Sequence, residues 1–349
     1  MRKYLLPKNG KFYKANLHSH TNISDGTLTP EQAKKAYMEK GYSIIAFTDH
    51  NILLPHHDLS DENFIALSGY ELDLYEGWNP EFIPNGKSYL TWKGCHINFI
   101  ALDPENDTQV CYHRTKYRMI GNGEKYRHLA KFDASLPDYE RHYSVKGIND
   151  IMKIGRENGF YVVYNHPGWS LENYNDYVNY KGMHALEICN GAGISMGMAD
   201  YCPHVYDDIL RSGNRISCVG GDDNHNHTPL DKEGSESFTA FTMIKAEEFN
   251  YKAITNAMVK GHLYASQGPE IEELYYEDGH IYVKTSPAKK IFLTCGTRRS
   301  ERAIDPDGKD ITSATFRVTP EDIYIRVTVV DKDGNSANSN GYYLDEFVE

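Results

Sequence analysis

Residues 12–25 read FYKANLHSHTNISD, a short strand-like run that ends at His18-Ser19-His20 with Asp25 close behind. Side chains at i and i+2 of a strand share one face, so His18 and His20 can grip a single ion together. An H-x-H pair alone says little. The rest of the chain repeats the pattern. Thr48-Asp49-His50-Asn51, Tyr70-Glu71, Gly94-Cys95-His96, Asn165-His166-Pro167 and Asp223-Asn224-His225 each end or interrupt another strand-like run. Were these ordinary core or loop residues, six strands would have to place polar groups at the same end independently.

Working outward, seven strand-like runs emerge: residues 12–18, 42–50, 64–74, 94–102, 161–169, 184–191 and 215–225. Several are followed by helix signals. Thr29-Pro30 opens a helix over EQAKKAYMEK that stops at Gly41, with an N-cap threonine, a first-turn proline and a terminal glycine. Helical patterns also cover 145–159, 200–213 and 246–261. Alternation of this kind predicts parallel strands with helical crossovers. Seven or eight such units can close into a barrel whose active site lies at the C-terminal strand ends. After Gly268-Pro269 short strands and Asp-Gly turns take over. In Ile323–Val330 apolar residues alternate with Tyr324, Arg326 and Thr328, as in a half-buried antiparallel strand. The expected organisation is a hydrolase domain over 1–268 and a small all-β, sandwich-like domain over 269–349.

The 349 residues are 40% hydrophobic and 25% charged, which is ordinary for a globular protein. No apolar stretch is long enough to span a membrane. The N-terminus starts basic but has no long apolar core and is not expected to act as a secretory signal. A net charge of -12 argues against general affinity for nucleic acid or anionic membrane. The six cysteines form no C-x-x-C pair, and Cys189 and Cys218 sit in apolar runs. A reducing, cytoplasmic setting is expected. Sixteen histidines is a high count, and so is 27 tyrosines, although tyrosine serves cores and stacking surfaces alike.

Imidazole and carboxylate without cysteine suit zinc, manganese or iron. Nine side chains qualify: His18, His20, Asp25, His50, Glu71, His96, His166, Asp223 and His225. They are too many for one tetrahedral ion and imply two or three divalent metal ions with a bridging carboxylate. Glu71, the one glutamate in the set, is the expected bridge. Such a cluster makes hydroxide available near neutral pH and clamps phosphoryl oxygens.

The strings NLHSHTNISDG, AFTDHN, the Glu71 strand, GCHINFI, YNHPGW and GGDDNH, in that order, resemble the polymerase-and-histidinol-phosphatase (PHP) superfamily over roughly residues 12–267. The resemblance implies a distorted (β/α)7 PHP barrel, a trinuclear metal site and phosphoester hydrolysis by a metal-bound hydroxide. It assigns one ion to His18, His20, Glu71 and Asp223. A second would share Glu71 and add His96 and His166. A third would take Asp25, His50 and His225, with Asp25 or His225 as the proton donor to the leaving group. The family's usual Gly-Ser-Asp-x-His reads Gly221-Asp222-Asp223-Asn224-His225 here. Asp222 is therefore expected to orient a ligand from outside the cluster. Asp49 should either orient a ligand or hold the strand-to-loop turn. His227 should be a loop histidine.

Two stretches, 73–93 and 103–144, exceed what a compact barrel needs, and long loops at a catalytic end tend to carry specificity. In the second, Arg118 or Arg127 could grip a substrate phosphate; a solvated, amphipathic helix pair is the plainer reading. Its interleaved tyrosines and cations also permit base stacking along a nucleic acid, hence a phosphodiesterase or nuclease. A glycan-associated hydrolase with a binding β-domain is a third alternative. The favoured partner is a small phosphorylated substrate, with no membrane and no readable oligomeric state. His56, His57, His113, His128, His142, His184, His204, His262 and His280 lack carboxylates at useful spacing and are set aside.

Overall fold

The computed structural model describes residues 2–76, 92–117 and 120–347. The chain begins with the short strand β1 (Lys3–Tyr4). The first large sheet then takes β2 (Lys11–Asn16), β3 (Ile44–Phe47), β4 (Ile65–Tyr75), β5 (Gly94–Ala101), β6 (Phe160–Tyr164), β7 (Ala185–Asn190) and β8 (Ser217–Gly221). These are the seven expected runs, side by side in chain order.

Local chemistry sets the helices between them. In α1 (Pro30–Met38) the Thr29 hydroxyl accepts the Gln32 amide, and the Gln32 side chain accepts the Thr29 amide. The helix buries Ala33 and Tyr37. After the single turn α2 (Gly123–Tyr126), α3 (Val145–Glu157) is capped by Ser144 and buries Ile148, Ile151, Met152 and Gly155, one stripe at helical spacing. A Cβ at Gly155 would stand 2.0 Å from the Phe99 ring, so only glycine lets this helix lie against the sheet. The turns α4 (Tyr174–Tyr177) and α5 (Gly191–Ser195) precede α6 (Pro203–Arg211), and α7 (Tyr251–Val259) follows β8.

One expectation fails in direction. Strands β2, β3 and β4 are mutually parallel, as are β6, β7 and β8, but β5 is antiparallel to both neighbours. Tyr75 at the end of β4 pairs with Gly94 at the start of β5, the antiparallel register that sets β5 against the direction of its neighbours. His96, near the beginning of β5, therefore stands at the end where the parallel strands finish. Strands β2 and β8 stand at opposite ends of the series, yet the segments beyond them meet: the Asp223 amide donates to the His18 carbonyl (2.9 Å) and the His20 amide to the Asn224 carbonyl (3.1 Å).

Hydrogen bonding also continues past β2 on its other side. Antiparallel β9 (Phe241–Ala246) and β10 (Leu263–Ser266) carry the sheet toward the C-terminal strands β11 (Ile271–Glu277), β12 (His280–Ala288), β13 (Lys290–Cys295), β14 (Ser300–Ala303), β15 (Ile311–Arg317), β16 (Tyr324–Val330), β17 (Ser336–Ser339) and β18 (Tyr342–Tyr343). The order β14-β13-β16-β17-β10-β9-β2 is unbroken. A second sheet, β1-β11-β12-β15, faces it across a core that includes Leu5, Leu6, Leu274, Ile281, Leu293, Phe316 and Val327.

Strand β16 corrects the half-buried reading. Ile325, Val327 and Val329 are buried as expected, but so are Tyr324 and Arg326, while Ile323 is exposed at a positive φ of 65°. The second face is covered by α6. There the Arg326 guanidinium pairs in a fork with the Asp207 carboxylate, Nε to Oδ1 at 2.8 Å and Nη2 to Oδ2 at 2.7 Å. The Tyr324 hydroxyl adds a third bond to Oδ1 at 3.1 Å. All six cysteines are free and buried. Among the described residues, no helix is long and apolar enough to cross a membrane.

Candidate metal centre

The nine residues singled out above converge at one end of the β2–β8 series, around Glu71. Glu71 lies near the middle of β4 and is fully buried. Its Oε1 is 3.1 Å from His96 Nδ1, 3.1 Å from His166 Nε2 and 3.3 Å from His18 Nε2. Its Oε2 is 3.1 Å from His50 Nδ1 and 3.3 Å from His20 Nε2. Asp223 closes the other side, with Oδ1 3.2 Å from His18 Nε2 and 3.0 Å from His20 Nε2. Asp25 and His225 form the rim: His225 Nε2 is 3.5 Å from Asp25 Oδ1. Each is partly exposed, at 23% of the side chain.

Four groups of residues bring their ligand atoms within 4.8 Å of one another: His18-His20-Glu71-Asp223, His20-Asp25-His50-His225, His50-Glu71-His96 and His18-His166-Glu187. The first is the set the resemblance assigns to one ion. The second contains the set assigned to another and adds His20. His96 and His166, expected together, fall in separate groups, although both touch the same Glu71 oxygen.

The donor atoms behave as ligands would. His20 Nδ1, His50 Nδ1, Asp25 Oδ1, Glu71 Oε2 and Asp223 Oδ1 are buried without a hydrogen-bond partner. Orphaned polar atoms at this density are costly unless a cation satisfies them. His18 Nε2 and His20 Nε2 approach to 3.2 Å, nitrogen to nitrogen, around a common point. The residues therefore fit divalent cations.

Charge tells the same story. Burial opposes protonation of His18, yet Asp223, Glu187 and Glu71 hold its ring well above the ordinary range. His20 overcomes the same burial through Asp223 and Glu71 and rises to about 10, and His166 rises to about 9 through Glu71 and Asp223. Burial works against the charged Glu71, but His18, His96 and His50 hold its carboxyl well below the usual value. Burial pushes His50 down to about 4. The carboxylates that attract protons onto these rings would attract cations to the same place.

Neighbouring groups fix the cluster. Asp49 Oδ1 accepts the Thr21 and Ser24 amides at 2.8 and 3.0 Å, and Oδ2 accepts the Thr21 hydroxyl at 2.8 Å. It thereby holds the loop that carries Asp25, a different loop from the strand-to-loop turn at its own position. Asp222 departs from expectation. It touches no cluster ring and instead accepts Tyr37 Oη and the Phe238, Thr239 and Ala240 amides at 2.7–2.9 Å. Because adjacent residues diverge at a strand end, Asp223 faces inward while Asp222 braces the 238–240 loop from behind. Asp223 itself takes a left-handed φ of 52°, which aspartate tolerates better than most residues and which sits where strain is commonly stored.

No protein-family model matches the sequence, and no curated protein does. A PHP-like protein is among the solved neighbours. It is a two-domain protein from Bacteroides vulgatus, described as containing a predicted PHP-like metal-dependent phosphoesterase. The TM-score is 0.45 at 15% identity, over 97% of this chain and 98% of that one. A protein from Bifidobacterium adolescentis, provisionally described as a metal-dependent phosphoesterase, matches with a TM-score of 0.37 at 16% identity, over 66% and 92%. An amidohydrolase from Chromobacterium violaceum, with bound sulfate and no metal, gives 0.37 and 16%, over 71% and 96%.

Of the two basic candidates, Arg118 lies outside the described residues. Arg127 donates to Glu124 at 2.8–3.1 Å and approaches the His113 and Tyr117 carbonyls. Its segment rests on the rim all the same, since the Asn122 amide donates to the Ser24 carbonyl at 2.7 Å. His227 is exposed and joins none of the four ligand groups. His113, set aside for want of a carboxylate, does meet Glu140 at 3.4 Å, a pairing created by the fold of the 113–140 loop. The residue sequence reading missed is Glu187 on β7, buried against His18. Its signal was there: a lone charge inside the apolar run ALEICN, the same signal that marked Glu71.

Glu172, behind His166, gives a pH prediction. Its carboxyl is buried and meets the hydroxyls of Tyr143 (2.9 Å), Tyr164 (2.5 Å) and Tyr180. Burial pushes it up from 4.5 to about 7. The folded state thus keeps a proton that the unfolded state loses above pH 4.5. The resulting stability is full below that pH and disappears as pH rises through about 7, about 3 kcal/mol in all. In Glu172→Gln this slope should be absent, as urea unfolding of both proteins between pH 4.5 and 8 would read. Parallel curves would refute it.

Proposed function

We propose that the chain is a PHP-type, metal-dependent phosphoesterase that hydrolyses a small phosphorylated metabolite. The observation that carries this reading is the convergence of six histidines, Asp25 and Asp223 around the buried Glu71, from motifs in the family's order. In this reading β2–β8 form the distorted (β/α)7 barrel, with the Asp223–His18 and Asn224–His20 backbone contacts as its closure. Residues 1–268 are the catalytic unit and 269–349 its β-sandwich-like companion.

The site would hold up to three ions of zinc, manganese or iron. His18, His20, Glu71 and Asp223 would bind one, Glu71, His96 and His166 a second, and Asp25, His50 and His225 a third. Bound cations supply an acidified water as nucleophile and neutralise charge on the phosphoryl oxygens. The protein's own part is orientation and proton control. Glu71 sets the geometry through both oxygens, and its burial keeps bulk water away. Asp25 and His225, on the open rim, are placed to hold a proton and deliver it to the leaving alkoxide. Arg118 or Arg127 is the candidate grip on a substrate phosphate.

The test is metal analysis of the purified protein, then turnover of 4-nitrophenyl phosphate, its bis-ester, single-stranded DNA and an oligosaccharide panel. The expected result is bound transition metal and chelator-sensitive hydrolysis of small phosphate esters. Preference for DNA or glycans would move the substrate class. Protein with no metal, inert after metal addition, would leave a regulatory binding domain as the better account.

A further inference from the structure

The rings of His20 and His50 turn their second nitrogens toward Asp25 of the cluster itself, at 4.0 and 3.9 Å, while the other four rings turn theirs to groups outside the ligand side chains. His96 Nε2 meets the Tyr75 hydroxyl at 2.9 Å, His166 Nδ1 the Ser170 hydroxyl at 3.4 Å, and His225 Nδ1 the Asp223 carbonyl at 2.9 Å. All three partners are neutral. His18 Nδ1 instead lies 3.0 Å from Glu187 Oε1. Both side chains are almost wholly buried. Glu187 is itself held, with Oε2 accepting from Asn190 Nδ2 at 2.9 Å and from the His166 amide at 3.3 Å. Asn190 Nδ2 is also 3.2 Å from Asp223 Oδ2, which ties the same anchor to a second cluster carboxylate. The space is reserved in the sequence. A Cβ at Gly221 would come within 2.7 Å of both Glu187 Oε1 and His18 Cβ.

We propose that Glu187 is a positioning residue that makes the ion at His18 the most tightly held of the cluster. A carboxylate only accepts hydrogen bonds, so Nδ1 of His18 must carry the hydrogen and Nε2 must turn its lone pair inward. A charged acceptor also makes the ring a stronger donor to a cation than a hydroxyl or carbonyl does. The ring so tuned lies in a ligand group, with His20, Glu71 and Asp223, that is more buried than the rim group. The rim group, Asp25 and His225, is more exposed, and the His225 ring turns its second nitrogen to a backbone carbonyl instead of a carboxylate. The centre is therefore graded: an inner ion that stays and a rim ion that exchanges. This rests on the multi-ion reading above.

The experiment is competition for zinc between a chromophoric chelator and either the wild-type protein or Glu187→Gln, which preserves volume. The tightest site should weaken by about 10- to 100-fold, as loss of such anchors generally does, while weaker sites move by less than about threefold. Equal affinity of the tightest site in both proteins would overturn the inference and leave the site reading standing. A wild-type protein that binds no zinc would overturn the site reading itself. Should Glu187→Gln fail to fold, nitrogen NMR of histidine-labelled, zinc-loaded wild type decides: His18 protonated at Nδ1 supports the proposal, and the opposite tautomer defeats it.

Discussion

Replacing His18 and His20 together with alanine should strip the protein of metal and lower kcat/KM by at least about 10^4-fold, some 5.5 kcal/mol of transition-state stabilisation. The two rings lie at the junction of the ligand groups. His20 belongs to two of the four, and so does His18. Without them Glu71 and Asp223 face each other buried and unneutralised, with His166 and His96 left to hold whatever cation remains. The neighbouring amides are poor replacements, because Asn16 already bonds Asn224 and Asn98 carries no charge. Metal content by mass spectrometry and turnover on a phosphate ester would be read side by side. A double variant that keeps full activity would end the proposed mechanism.

The largest expected loss of stability lies elsewhere, at Arg326. Truncating it to alanine leaves Asp207, on the inner face of α6, charged and buried, a situation that typically costs about 3–5 kcal/mol. The side chains are 7% and 9% exposed, so solvent does little to screen them. The pair is not expected to be worth that much in itself. Replacing both partners with apolar residues of similar size, as in Arg326→Met with Asp207→Leu, should recover most of the loss. Urea unfolding of the single and double variants tests this. A single variant within about 1 kcal/mol of wild type would mean the carboxylate finds other partners.

Much of the site was legible before any coordinates because its chemistry is concentrated in short strings. A histidine pair at a strand end, or a glutamate inside an apolar run, needs no long-range knowledge to be suspected. Direction was less legible. Hydrophobic alternation is the same read either way, so nothing local marks β5 as reversed, and only its pairing with β4 and β6 decides it. Glu187 escaped for a related reason. It lies inside an apolar run as Glu71 does, but its link to His18 spans 169 residues. Arg326 looked like the wet side of a strand because its partner, Asp207, lies on a helix 119 residues away. Asp222 and Asp223 were distinguishable only by their offset from His225, and the structure separates them by the face each presents.

The pairing of β1 with β11 has a consequence for how the molecule is made. Lys3 and Tyr4 find their strand partners at Tyr276 and Tyr275, and Leu5 and Leu6 find their core among the C-terminal sheets. On a ribosome these residues emerge long before their partners exist. Residues 3–6 must remain unpaired while the whole metal-binding region is synthesised. Contacts this distant are slow to form because a long loop must close first. The β2–β8 region can gather its strands early, but the protein is not sealed until residues near 275 arrive. Closing β1 onto β11 thus waits on the C-terminal strands, and damage to that pairing would show first as a failure to seal the N-terminus.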